Sequence, residues 1–280
     1  PISVLVDITN YVMFDLGRPL HAYDADKVTG DKLIIRNAKA GETLTALTEK
    51  NYELDEEMII ISDAHGPDDI AGVMGGERTG VSETTKNMFL EIAIFDPVSV
   101  ATTGRKLNLH SDARYRFERG LDTDGPIAFA GYIARMVTEL TGGKPSHLTM
   151  AGDKIAPAEA LSYDVGSIAA LTGIDVPANT QEAILTKLGF AIEKQTDTAW
   201  QVTRPSWRPD VHVKADIIEE VVRIYGYDHL PMDSLPKLSA IARPSVNKLQ
   251  RRTSYLRRAL VARDYIEAVT FSFMKEEDEK

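Results

Sequence analysis

The chain has 280 residues, is 43% hydrophobic and carries a formal net charge of −10, which allows one large core or two modest ones with a tail besides. It has no cysteine, so disulfide frameworks, zinc–cysteine sites and thiol nucleophiles are excluded. The acidic balance argues against a general nucleic-acid coat, whose affinity rests on many Lys and Arg contacts to phosphate, but leaves room for a local basic patch. No run approaches the roughly 18 apolar residues that a bilayer span needs, and the opening PISVLVDITN has no charged leader. A soluble, unprocessed, cytoplasmic protein with no membrane partner is expected. Pro1 at one end and the acidic MKEEDEK of 274–280 at the other read as cuts in a longer protein.

In chain order, VLVDITNYVMFDLG places Leu5, Ile8 and Val12 at helical spacing, with Gly17 and Pro19 as the stop. The spacing predicts a short helix running into a turn at His21. Runs rich in Ile and Val at 33–36, 58–62, 70–74 and 89–95, separated by Gly, Asn and Asp, read as strands of a mixed sheet. From 127 to 140 the period is helical again, with Ile133, Met136, Val137 and Leu140 on one face, and TGGKP ends it. A boundary falls near 145–160. Beyond it, SIAALTG and NTQEAILTKLGF read as helices, the second capped by Asn179 or Thr180 and closed by Gly189. AIEKQ and WQVTR read as a hairpin, and residues 215–225 as an amphipathic helix ended by Gly226, with Ile217, Ile218, Val221, Val222 and Ile224 as its core and interface face. From Lys248 another helix is expected, then a strand in EAVTFSF. The fold class is α+β: a mixed-sheet domain, a small helical or winged module, and a truncated tail.

Glu91 stands inside FLEIAIF with apolar neighbours on both strand faces. An unpaired charge is costly to bury, so this carboxylate needs an internal partner or a ligand. The glycines of GVMGG at 72–76 let backbone approach a ligand closely. Five basic residues, Arg105, Lys106, Arg114, Arg116 and Arg119, form either a positive strip suited to phosphates or a solvated strand face paired with Asp112 and Glu118. Trp207 reads as a packing residue. The six histidines show no HExxH or HxH ligand spacing and there is no GxSxG elbow, so water is the expected attacker in any hydrolysis.

Four segments, VDITNYVMFDLGRPLHAYD (6–24), IAGVMGG (70–76), FLEIAIFDP with HSDARYRFERGLD (89–97 and 110–122), and RPSWRPDVHVKADIIEEVVRIYGYDHLP (204–231), together resemble the β subunit of bacterial phenylalanyl-tRNA synthetases. The resemblance implies an editing domain over 1–152, a small winged-helix-like domain over 153–231, and over 232–280 a linker with the incomplete start of a class II synthetase-like domain. It implies hydrolysis of tyrosine mischarged onto phenylalanine tRNA, with tRNA and the synthetase α subunit as partners in a heterotetramer. No cofactor is expected in this chain, and ATP and magnesium are implied for the parent ligase. By residue, Glu91 matches the glutamate that contacts the tyrosine hydroxyl, His21 the histidine beside the tRNA 3′ adenosine, and Asn10 a pocket residue suited to the carbonyl or the water. Gly75, Ser111 and Ala113 match pocket positions, and many relatives carry threonine where Ser111 stands. The candidate roles of His21 are to orient the terminal ribose or the attacking water or to act as a weak general base near neutral pH; orientation is expected, since no carboxylate partner fixing a tautomer is visible in the local sequence. The rival reading is a noncatalytic tRNA-binding and subunit-bridging scaffold.

Overall fold

A computed structural model describes residues 3–153, 155–232, 234 and 245–275. Pro1–Pro231 is one compact unit and Met232–Lys280 a second. Helix α1 (Val4–Leu16) starts where the Ser3 hydroxyl accepts from the Val6 N–H and stops at Gly17, whose φ of 66° is left-handed. Its Ile8 and Val12 pack with Ile133 of a later helix, which with Leu90 and Ile92 makes a small core of its own. The chain then enters strand β1 (His21–Asp24), so His21 sits at a strand start and not in a turn.

Strands β2 (Ile34–Asn37), β3 (Thr43–Thr45), β4 (Asn51–Glu53), β5 (Ile59–Ser62), β6 (Pro67–Ile70), β7 (Met74–Gly75) and β8 (Met88–Glu91) follow. They form a four-stranded sheet in the order β2-β5-β6-β7, a β3-β4 hairpin and a β1-β8 pair, and every described pair is antiparallel. The run 70–74 is therefore no single strand. Ile70 ends β6, Ala71 to Val73 turn, and β7 begins at Met74. Gly72 makes that turn with φ of 70°, and a β-carbon there would lie 3.0 Å from the Phe95 ring and 3.1 Å from that of Phe117. The run 89–95 likewise leaves strand structure after Glu91.

Helices α2 (Pro97–Lys106) and α3 (Asp112–Phe117) add Val100 and Phe117 to the core that includes Ile60, Ile61 and Ile70, and α4 (Gly125–Thr141) packs on α1. Of the face expected on α4, Ile133 is buried and Met136 and Val137 pack beside it, whereas Leu140 is 62% exposed. Arg18 is buried, donates to the carbonyls of Ala93 (3.1 Å) and Asp122, and lies over the Phe129 ring. One guanidinium thus joins the exits of α1 and β8 to the entrance of α4.

After strand β9 (Leu161–Asp164) come α5 (Ser167–Thr172), α6 (Ala178–Lys187), the hairpin β10 (Ala191–Lys194) and β11 (Ala199–Thr203), and α7 (Lys214–Tyr225). The sheet order is β10-β11-β9. Tyr163, Trp200, Val202, Ile217 and Val221 form a core separate from that of residues 23–121, each fully buried aliphatic side chain being worth roughly 1.5–3 kcal/mol. The buried Gln181 amide accepts from the Tyr163 hydroxyl and donates to the carbonyls of Val165 and Val176. Helix α6 starts after Pro177, with neither Asn179 nor Thr180 as its cap. On α7, Ile217, Ile218, Val221 and Val222 are buried, but Ile224 is 49% exposed. Trp207 is 56% exposed, and its ring lies where a β-carbon on Gly189 would be.

In the second unit, α8 (Lys248–Val261) is capped reciprocally by Asn247 and Gln250. The segment 267–273, expected as a strand, forms none. Of the linker and domain start expected over 232–280, residues 233, 235–244 and 276–280 lie outside the described residues. Among the described residues no helix is long and apolar enough to cross a membrane.

Candidate functional site

Antiparallel pairing of β1 with β8 sets His21 directly opposite Glu91, so both side chains leave one face of the pair within reach of each other. Pairing of β6 with β7 sets Asp69 opposite Gly75, again on one face. Because Gly75 has no side chain, the imidazole of His21 occupies that space: a β-carbon on Gly75 would lie 2.3 Å from Cε1 of His21. His21 Nδ1 is 3.7 Å from Asp69 Oδ2, and the ring meets Tyr23 edge-on with centroids 4.4 Å apart. Strand alternation sends Asp68 to the opposite side, where it accepts from Arg78 and Thr79. Arg78 also pairs with Asp63, so this cation serves Asp63 and Asp68 while Asp69 has no Lys or Arg partner among the described residues.

Poor solvation governs the electrostatics. Burial lowers the His21 imidazole to a pKa of about 4, which makes it neutral at pH 7. Burial raises Glu91 to about 7. Burial, reinforced by the charges of Glu91 and Asp68, holds Asp69 well above the usual carboxylate range. The Tyr23 phenol is pushed upward by burial and then by Asp69 and Glu91. Two carboxyls this close share less than two negative charges at neutral pH. Glu91 is half-buried and makes no hydrogen bond or ion pair with a described residue. Among the described residues four buried side-chain polar atoms lack a partner, and three of them, His21 Nε2, Tyr23 Oη and Asp68 Oδ2, belong to this pair of sheets.

Ser111 caps α3, accepting from the Arg114 N–H (3.0 Å), and donates to the Val73 carbonyl (2.7 Å). Its hydroxyl thereby fastens α3 to the glycine turn that leads into Gly75. Ala113 packs against the core beside that turn. Asn10, half-buried on α1, makes no side-chain hydrogen bond to a described residue and has no polar contact with His21 or Glu91. The structure therefore groups His21, Gly75 and Glu91 directly, ties Ser111 to them through Val73, places Ala113 against the core of residues 23–121, and leaves Asn10 apart. A cavity of about 460 Å³ is lined by His110, Ser111, Asp112, Arg114, Tyr115 and Glu118; Ser111 alone of the six expected residues borders it. A second, about 610 Å³, lies between α1 and α4 and borders none of them.

The basic run is helical, not a strand face, and most of its charge is neutralised. Arg114 is buried against Glu118 and the Leu109 carbonyl, Arg116 pairs with Asp112, Arg119 with Glu118, and Lys106 with Asp55 and Glu57. Asp69 is the residue that sequence reasoning missed. Its signal is the doublet Asp68-Asp69 in PDDI, since adjacent residues of a strand face opposite sides and a buried strand has no solvent side for either acid. Among the described residues no group of three or more His, Cys, Asp or Glu side chains is placed to hold a metal ion.

Fold and site together define a two-module α+β protein whose first module carries a poorly solvated niche with one imidazole and two carboxyls. The chain belongs to the B3/4 domain family, whose model matches residues 1–142, and the tRNA synthetase B5 domain model matches 161–227. The resemblance to the phenylalanyl-tRNA synthetase β subunit holds along the whole chain. It is 45% identical over 280 residues to the phenylalanine–tRNA ligase beta subunit of Brucella abortus (strain 2308), covering 100% of this chain and 35% of that protein. It is 44% identical over 274 residues to the beta subunit of Bradyrhizobium diazoefficiens, covering 98% and 34%. The chain thus spans about a third of the length of these relatives. A crystal structure of an N-terminal fragment of the phenylalanyl-tRNA synthetase beta subunit from Pyrococcus horikoshii matches at a TM-score of 0.40 and 17% identity, over 78% of this chain and 64% of that one, too loosely to argue from.

Proposed function

We propose that this chain is the proofreading part of a phenylalanine–tRNA ligase β subunit, hydrolysing the ester that joins tyrosine to phenylalanine tRNA. The observation that carries the proposal is Glu91: a poorly solvated carboxylate with no protein partner, opposite a neutral imidazole. An editing site must accept tyrosine and refuse phenylalanine, which differ by one hydroxyl. A site built to bond that hydroxyl discriminates by on the order of 10⁴ to 10⁵, because the analogue leaves a buried polar group unpaired.

In this reading Glu91 accepts the phenolic O–H. Gly75 leaves room for His21, and the turn fastened by Ser111 forms the wall, with Ala113, against the aromatic ring. His21, neutral at pH 7, orients or deprotonates the attacking water, whose addition to the ester carbon releases tyrosine and restores the tRNA 3′-terminal hydroxyl. Asn10 is the remaining candidate for holding the carbonyl or the water. A group receiving the phenol lies roughly 6 to 7 Å from the ester carbon, whereas a general base must lie within about 3 Å of its water.

Residues 1–152 form the editing domain, 153–231 a module without catalytic residues, and 232–280 the linker and start of a synthetase-like domain. Ligation itself, with ATP and magnesium, belongs to the whole enzyme with its α subunit, and the cytoplasm is its compartment. The test is hydrolysis of Tyr-tRNA and Phe-tRNA by an α/β enzyme carrying Glu91→Ala or His21→Ala. Glu91→Ala is expected to impair tyrosine removal and blunt the preference for tyrosine. His21→Ala is expected to slow cleavage and leave the preference in place. Equal loss on both substrates for Glu91→Ala, with the preference kept, would overturn the assignment.

A further inference from the structure

Asp69 has a burial that its own contacts do not explain. It lies on β6 at 4% exposure, and Arg78, the cation nearest in sequence, is taken by Asp63 and Asp68. The groups that face Asp69 are His21 and Tyr23 from β1, Glu91 from β8, and its strand neighbour Asp68, whose side chain turns away. A carboxyl buried without a cation is costly unless it bonds something that matters; His21 Nδ1 lies 3.7 Å from it, and the Tyr23 hydroxyl also faces it. That separation is longer than a hydrogen bond, but such bonds in unliganded sites are often long and tighten when the ligand arrives. The ring has little freedom to turn away. Gly75 accommodates Cε1, Tyr23 stands edge-on against it, and the backbone of β1 is fixed in register with β8.

We propose that Asp69 is a positioning residue of this site, holding the His21 imidazole by Nδ1 so that Nε2 is the nitrogen turned to substrate or water. The inference deepens the proofreading reading and rests on it for the identity of the substrate. A histidine has two ring nitrogens, and the one that works is set by the bond the other makes. Here Nδ1 faces Asp69, while Nε2 is buried and has no protein partner. A buried polar atom without a partner calls for one, and at a binding site a ligand or a water supplies it. Tyr23 also faces Asp69, but its hydroxyl makes no hydrogen bond of acceptable geometry, and the tautomer of His21 separates a role toward the imidazole from one toward the phenol. Neutral imidazole at pH 7 fits the scheme, since only the neutral ring has one donor and one acceptor nitrogen to distinguish.

The experiment has two arms. In the first, the 280-residue chain is labelled with ¹⁵N-histidine, and long-range ¹H–¹⁵N spectra read the tautomer of His21, assigned by its loss in His21→Ala, for the wild type, Asp69→Asn and Asp69→Leu. The wild type is expected to show one tautomer. Asp69→Asn, which keeps the shape and a hydrogen-bonding group, is expected to shift the Nδ1 signal, and Asp69→Leu to give an average of the two tautomers, with the other histidines unmoved. Unchanged His21 signals in Asp69→Asn overturn the proposal even if the Leu variant fails to fold. In the second arm the complete α/β enzyme is assayed for Tyr-tRNA hydrolysis. Asp69→Leu should lower kcat by about tenfold or more, on the scale of positioned acid–base groups. Asp69→Asn should restore most of the rate, the tyrosine preference should stay, and Asp69→Leu should cost nothing further in a His21→Ala background. A merely structural role gives the same loss in both backgrounds, and that result overturns the proposal. If the His21 signals respond to Asp69 as stated while neither His21→Ala nor Asp69→Leu slows hydrolysis, positioning stands and the proofreading reading falls.

Discussion

Replacing Glu91 with Gln should stabilise the protein, and only on the alkaline side. Burial raises the Glu91 carboxyl from its ordinary 4.5 to about 7, so between those values the folded chain holds a proton that the unfolded chain has released. Stability therefore falls as pH rises through that window, and the loss is complete above about pH 7. At 1.36 kcal/mol per pK unit the loss has an upper bound of about 3 kcal/mol, and the partial solvent access of the side chain reduces it to about 1–2 kcal/mol. Gln cannot ionise. Glu91→Gln should match the wild type near pH 4.5 and exceed it at pH 8 by that amount, or about 3–6 °C in Tm. Removing the Glu91 charge also relieves Asp69, which adds in the same direction. His21→Gln is the mirror case: burial lowers the imidazole from 6.5 to about 4, so the wild type loses stability as pH falls through that range and the variant gains on the acid side. Urea or thermal denaturation at pH 5, 6, 7 and 8 reads both. An advantage for Glu91→Gln that is the same at pH 5 and pH 8 would refute the argument, because it would place the carboxylate in ordinary solvent.

Two further substitutions test the frame around these groups. Gly75→Ala puts a β-carbon 2.3 Å from His21 Cε1, which forces the ring or the strand to move. A loss of about 1–3 kcal/mol is expected, together with slowed Tyr-tRNA hydrolysis; unchanged hydrolysis would show that the ring position does not matter. Ser111→Ala removes the cap of α3 and leaves the Val73 carbonyl without its 2.7 Å donor. It should lower stability by about 1–2 kcal/mol in urea titrations, while Ser111→Thr, which retains the hydroxyl, should lie close to wild type.

Helices were the more legible part of this fold because each amphipathic stretch carries its own start and stop. The helix at 4–16 ends at Gly17 and that at 214–225 at Gly226, where the glycines are. Short apolar runs were less so, because a strand is defined by its neighbour. IAGVM is apolar throughout, yet Gly72 turns it away after Ile70, and FLEIAIF pairs only as far as Glu91. EAVTFSF has strand composition, and no described strand lies alongside it. The arginines of 110–122 were legible as charge and not as helix. Arg114 and Glu118 are four apart, which is a helical ion-pair spacing, and this pair is the most buried of that run.

Within the site, Glu91 could be recognised from its own flanks, since a carboxylate among Leu90, Ile92 and Ile94 contradicts its surroundings. Asp69 could not be tied to His21 in that way, because 48 residues of chain separate them and only the pairing of β6 with β7 beside β1 brings them together. The two modules treat buried polarity differently for a physical reason. In the second, Gln181 satisfies its amide within the core and Glu220 binds both Arg208 and Arg223, leaving Trp200 Nε1 as the unpaired atom there. In the first, Glu91, Asp69 and the Nε2 of His21 lack such closure. A hydroxyl is distinguished from a hydrogen only where water does not compete for the acceptor, since a hydrogen bond in water nets little. In the proposed proofreading role, the desolvation that lifts Glu91 toward neutrality and weakens the fold as pH rises toward 7 is the same property by which one carboxylate would sort tyrosine from phenylalanine.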